Sequence, residues 1–154
     1  MIRRALREDI PGILALLLQV DMVHHRGRPD LFKGPAVKYS AEELARLLED
    51  EDSPVFVFIS EGKVAGHAFC QLEQTAANAV LHDVKTLYID DICVDEAFRR
   101  RGIGSALYRH LLAYAKARGC YHVTLNVWAC NPGALEFYAS LGMKPMKTMM
   151  EQVL

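Results

Sequence analysis

The sequence predicts a mixed α/β domain, one sheet with helices on both faces. Three observations predict it. Apolar residues recur at helical spacing in some segments and as alternating or short continuous runs in others. A strand–helix–strand crossover in the middle of the chain demands a locally parallel pair. Glu61-Gly62-Lys63 lies between two apolar runs, which makes their pairing an antiparallel hairpin.

Each element has a local reason. Met1 to Ala5 reads as a short first strand. Asp9 suits an N-cap and Pro11 a first helical turn, and Ile13, Leu14, Leu17, Leu18 and Val20 follow at helical spacing. Asp21 to Tyr39 is polar and holds Gly27, Pro29, Gly34 and Pro35, so it reads as irregular. Ser40 and Glu43 form a capping box that opens a second helix, running to about Asp50. Val55 to Ser60 and Val64 to Gln71 are the hairpin strands, and Thr75 to Asn78 is a loop. Val80 to Val94 contains a further strand, strongest from Leu87. Gly102 to Arg118 carries the apolar stripe Ile103, Leu107, Leu111 and Tyr114, and Gly119 stops that helix. Tyr121 to Trp128 alternates as a strand. Asn131-Pro132 starts a last helix ending near Gly142, and Met143 to Val153 reads as a final strand.

The chain has 154 residues, a length suited to one domain over 1–154. No linker, repeat or low-complexity tract divides it. Its longest apolar run, Ile13 to Leu18, is far short of the roughly 20 residues of a membrane span. The N-terminus lacks the apolar core and cleavage site of a signal peptide, so a cytoplasmic protein is expected. A net charge of −1 gives no global field toward nucleic acid or membrane, and neither is expected as a partner. Cys70, Cys93, Cys120 and Cys130 form no C-x-x-C pair and have no zinc-type spacing with histidine, so no metal site is expected.

The sharpest local signal is Arg99-Arg100-Arg101-Gly102-Ile103-Gly104, between a strand and a helix. A helix N-terminus offers unpaired N–H groups and a partial positive charge, and glycines allow close approach. The arginines add charge there. Together these features suit a pyrophosphate. The P-loop pattern is absent, and Leu107 stands where the dinucleotide fingerprint needs a third small residue.

The run Tyr88-Ile89-Asp90-Asp91-Ile92-Cys93-Val94-Asp95, followed by Phe98 to Leu107, resembles the acetyl-CoA-binding motif of the GNAT N-acetyltransferase superfamily. Asn131-Pro132-Gly133-Ala134-Leu135-Glu136-Phe137-Tyr138, then Leu141-Gly142-Met143, is similar to its second block, with Met143 in place of the usual Phe. The resemblance implies a splayed, mostly antiparallel mixed sheet of six to seven strands with about four helices. It implies acetyl-CoA as the cofactor, held in the gap between the fourth and fifth strands. Ile92, Cys93 and Val94 would pair with the pantetheine arm. The amides around Arg99, Arg100, Arg101, Gly102, Ile103, Gly104 and Ser105 would hold the pyrophosphate. Asn131 would touch the cofactor arm, and Tyr138 would lie near the sulfur. A homodimer through the last strands is implied, and Met143, Met146, Met149 and Met150 suit either a packed interface or a core strand.

Acetyl transfer to an amine requires loss of a proton from an ammonium of pKa about 10, a cost of roughly 4 kcal/mol at neutral pH. A basic group is therefore expected. Asp90 and Asp91 are the candidates, expected on opposite faces of their strand, with Asp90 favoured by resemblance. Tyr138 is the candidate acid for the leaving thiolate. An acetyl-cysteine on Cys93 is the disfavoured route, since no histidine adjoins it in sequence. Candidate acceptor-site residues are Asp21, His25, Arg28, Tyr88 and Trp128. Asp21 or Asp30 could hold an ammonium, and Arg26 or Arg28 a carboxylate. Motif spacing is similar to that of polyamine acetyltransferases, but it occurs with other acceptors too. The alternatives are a non-catalytic acetyl-CoA sensor on the same fold and a nucleic-acid module using the arginine run.

Overall fold

The computed structural model describes residues 1–154. Its sheet has five strands in the order β1 (Ile2–Arg4), β2 (Val55–Ser60), β3 (Lys63–Gln74), β4 (Lys85–Val94) and β5 (His122–Leu125). The first three ladders are antiparallel and β4–β5 is parallel. The helices are α1 (Ile10–Gly27), α2 (Ala41–Leu47), α3 (Ile103–Ala117) and α4 (Pro132–Ser140). The expected mixed architecture with four helices is present. The expectation of six to seven, mostly antiparallel strands is corrected to a five-stranded mixed sheet.

Strand alternation divides the core into two layers. On β2, Phe56 joins a cluster with Leu87, Ile89, Ile103, Leu107 and Leu111, under α3. Its neighbours Val55 and Val57 join Ile13, Leu17, Leu44 and Phe69, under α1 and α2. Leu107 and Leu111 are fully buried, each worth about 1.5–3 kcal/mol of transfer free energy. The β2–β3 turn places Glu61 and Gly62 both at positive φ, 52° and 72°, the twist a two-residue hairpin needs.

Several boundaries differ from expectation for physical reasons. α1 continues to Gly27, so Asp21 to Gly27 is helical rather than irregular. Nothing in Asp21-Met22-Val23-His24-His25-Arg26 breaks a helix, and the first proline after it is Pro29. Asp9 precedes α1 but its side chain does not cap it. The carboxylate instead accepts from the Leu6 amide (2.7 Å) and from both terminal nitrogens of Arg3 (2.6 and 3.0 Å). The Ser40/Glu43 capping box forms as expected, with bonds of 2.9 and 3.1 Å. β4 begins at Lys85, and β5 covers only His122 to Leu125 of the expected Tyr121–Trp128 strand.

Met143 to Val153 forms no strand. Pro145 lacks a ladder donor, and the four-residue β5 gives little edge to extend. Met146, Met149, Met150, Val153 and Leu154 are all exposed.

Candidate active site

The site is built around a β-bulge. Along the β3–β4 ladder, Phe69 pairs with Asp91 and the next residue, Cys70, with Ile89, so Asp90 is the extra residue. A bulge bends its strand, increases local twist and re-aims side chains. Both consequences are visible. The parallel ladder with β5 ends at Ile89–Leu125, and Asp90 to Val94 run on with no strand beside that edge. The sheet therefore opens at the bulge.

The bulge also corrects the expected facing of the two carboxylates. Before it, Leu87 and Ile89 face the α3 layer. After it, Ile92 and Val94 pack toward that layer, and Cys93 turns its thiol to the Leu16 carbonyl of α1 (3.6 Å). Asp90 and Asp91 consequently share the α1/α2 face. Asp90 pairs with Lys38, whose ammonium lies over the Tyr39 ring, and Tyr39 stacks on Phe69. Burial works against the Lys38 ammonium, but the contact with Asp90 outweighs it and holds its pKa above the ordinary lysine value. Asp91 Oδ2 lies 2.6 Å from Nε2 of His67, a fully buried side chain on β3 that stands edge-on to Phe69. The sequence reading missed His67. Its signal was available: a lone histidine inside the apolar run Val64 to Cys70 needs a partner once buried.

Beyond β4 the chain turns through Arg99 to Gly102 into α3. Arg100 and Gly102 both have positive φ, 62° and 73°. Gly102 is the α3 N-cap without a side-chain cap. The amides of Arg100 to Ser105 donate to no protein acceptor, and the first such bond is Ala106 to the Gly102 carbonyl (3.0 Å). Free amides in this alternating backbone form an anion-binding concavity. This donor set fits a pyrophosphate. The arginines divide: Arg101 lies over Phe98 (5.0 Å) and near Glu61 (3.5 Å), away from a purely cradling role. Gly104 also sits tightly against α4, since a Cβ there would lie 3.1 Å from the Phe137 ring.

α4 packs against the N-terminal part of α3. Asn131 Oδ1 accepts from the Ala134 amide (3.2 Å), so this oxygen caps α4. Tyr138 packs near Tyr108, with ring centroids 6.4 Å apart. Burial pushes the Tyr138 phenol well above its usual pKa, and the nearby Asp91 charge adds to this. It therefore keeps its proton at neutral pH. Burial likewise pushes the Cys93 thiol up to about 12, so no thiolate is available there.

The acceptor candidates fall into two groups. Asp21 accepts from the Ala36 amide (3.0 Å), His25 Nδ1 contacts the Phe32 carbonyl (2.8 Å), and Arg28 is shared between Asp30 and Glu151. Each of these holds the α1–α2 connection. Tyr88 lies two residues before Asp90 on the same strand, its hydroxyl accepting from Asn126 (3.1 Å). Trp128 is partly exposed and packs on Phe32 at 5.0 Å.

The resemblance implied a sheet that opens between its fourth and fifth strands, and the β4–β5 ladder does end at Ile89–Leu125, at the bulge. Residues 21–143 match the model of the acetyltransferase (GNAT) family, and the chain belongs to that family. More particular similarities follow. It is 32% identical over 141 residues to an uncharacterized N-acetyltransferase of Methanocaldococcus jannaschii, covering 92% of this chain and 59% of that one. It is 35% identical over 108 residues to glucosamine 6-phosphate N-acetyltransferase 1 of rice, Oryza sativa subsp. japonica, covering 66% and 58%. The chain thus spans little more than half the length of these curated relatives. A crystal structure of a mutant form of a Bacillus halodurans protein superposes with a TM-score of 0.95 at 33% identity, covering 100% of this chain and 99% of that one. No helix is long and apolar enough to cross a membrane.

Proposed function

We propose that this chain is an acetyl-CoA-dependent N-acetyltransferase acting on a primary amine by direct transfer. The observation that carries the reading is the unpaired β4 edge from Asp90 to Val94, which leads into the free amides of Arg100 to Ser105. The β4 edge at Ile92, Cys93 and Val94 would hold the pantetheine arm through backbone bonds. The turn and helix tip, Arg99 to Ser105, would hold the diphosphate. Acetyl-CoA supplies an activated thioester carbonyl.

Asp91 takes the role of base, directly or through water. Asp90 is the poorer choice because the Lys38 ammonium already engages it. Tyr138 supplies a proton to the leaving sulfur, a role supported by a phenol that burial keeps protonated. The acceptor lies on the α1/α2 face of β4, with Tyr88 and Trp128 as wall residues. Asp21, His25 and Arg28 shape that wall by fixing the connection between α1 and α2. The rice relative's name identifies an amino sugar phosphate as its acceptor, which keeps amino sugars among the candidates beside polyamines, amino acids and peptide N-termini. The protein acts in the cytoplasm as a homodimer; the homodimer reading is supported by the exposed apolar side chains after Met143.

The test is acetyl-CoA turnover with spermidine, lysine, kanamycin, glucosamine 6-phosphate and an alanine-ended peptide, read as thiol release and product mass. Acetylation of one or more amines is expected. Tight acetyl-CoA binding with no turnover on any amine would favour a sensor.

A further inference from the structure

We infer that His67 is a positioning residue for acetyl transfer: its Nε2–H holds one oxygen of Asp91 and leaves the other facing the acceptor amine. The inference rests on the reading of Asp91 as the base. His67 is 0% exposed and lies on β3 opposite Cys93, two residues before Phe69, where the bulge begins. Nε2 is 2.6 Å from Asp91 Oδ2, while Nδ1 is buried and has no hydrogen-bond partner. That asymmetry selects a tautomer. A hydrogen on Nδ1 would be an orphaned buried donor, a rare and costly state. A neutral ring with its hydrogen on Nε2 has no orphaned N–H and donates to Asp91.

This arrangement limits what His67 does. Accepting a second proton would place an N–H at Nδ1 with nothing to receive it. His67 therefore orients Asp91 and does not relay protons onward. Asp91 Oδ1 makes no protein hydrogen bond, so it is the oxygen available to the ammonium proton. The ring itself is fixed by the edge contact with Phe69 at 4.9 Å. The other titratable groups around Asp91 are Lys38 and Asp90 on its own face, Cys93 two residues along β4, and Tyr138 from α4. None of them hydrogen-bonds Asp91 in place of His67.

The experiment compares His67→Phe, His67→Gln and Asp91→Asn, assayed with the fastest amine of the panel. Phe preserves ring shape without a donor. The Gln amide nitrogen reaches the place of Nε2. His67→Phe is expected to lower kcat by about 10- to 100-fold, the scale of a misplaced catalytic group. Its acetyl-CoA affinity and Tm should stay near those of the wild type. The acid limb of its kcat/KM profile should move, and His67→Gln should restore much of the loss. Unchanged kcat and pH profile in His67→Phe, with Asp91→Asn inactive, would overturn the inference and leave Asp91 as base. Full activity in Asp91→Asn would overturn both. If His67→Phe does not fold, nitrogen-15 NMR of the wild-type histidines decides. A ring carrying hydrogen on Nε2 alone supports the inference, and one carrying hydrogen on Nδ1 overturns it.

Discussion

Tyr138 and Cys93 both lie near the open end of β4, and burial gives them different chemistry. Burial keeps the Tyr138 phenol protonated, which suits a proton donor. The same burial keeps the Cys93 thiol protonated, with its hydrogen turned to the Leu16 carbonyl, which removes the nucleophile. Tyr138→Phe is expected to lower kcat about 100-fold, within the usual range for a lost general acid, with little change in acetyl-CoA affinity by calorimetry. Incubation with acetyl-CoA and no acceptor should leave Cys93 unmodified in the intact mass. An acetylated Cys93 that passes its group to an amine would replace direct transfer with a covalent route.

Secondary elements carry the next set of constraints. The turn into α3 needs a left-handed residue at Gly102, where a Cβ meets no steric obstacle but φ is +73°. Gly102→Ala should cost about 1–2 kcal/mol of backbone strain. It should also weaken acetyl-CoA binding about tenfold if the strain relaxes by moving the turn, because about 1.4 kcal/mol is one decade. Titration calorimetry beside urea denaturation separates the two effects. At the other end, Arg3 and Asp9 tie β1 to the start of α1. Burial raises the Asp9 pKa, and the Arg3 bonds and the Leu6 amide outweigh it, leaving the carboxyl below its ordinary value. A folded pKa below the unfolded one means the unfolded state binds more protons. The stabilisation is thus complete above about pH 4 and is lost as pH falls through the folded value. Asp9→Asn should cost about 1.5–3 kcal/mol at pH 7, and the difference from wild type should shrink at pH 3 in urea titrations.

At the scale of the whole molecule, the segment after Met143 and the outer edge of β5 lack a backbone partner. Residues after Met143 make no backbone hydrogen bond and expose five large apolar side chains, while β5 has β4 on one side only. A free strand edge and a tail with unpaired backbone groups, tied to its own chain through the Arg28–Glu151 ion pair, suit a contact between two copies. Light scattering should give twice the 17.3 kDa chain mass, and truncation after Met143 should give the single mass. A wild-type monomer would remove the homodimer reading.

The helix stripes, the Ser40 capping box, the hairpin and the crossover were legible in the sequence because each depends on residues close in the chain. The first family block was legible for the same reason: a strand, a glycine turn and a helix start are contiguous. The carboxylate facing was not. Alternation predicts opposite faces for Asp90 and Asp91, and only the pairing of β3 against β4 inserts the bulge that puts them on one face. The His67–Asp91 pair spans 24 residues, and its meaning comes from burial. That the Asn131 side-chain oxygen caps α4 was likewise not read from the sequence. The sequence by itself determined which segments become helices and strands, the family and the helix tip suited to a diphosphate, since these rest on local periodicity and backbone preference. The tertiary structure decided which carboxylate is free, what holds it and where the sheet opens, because strand register and burial exist only once distant segments meet.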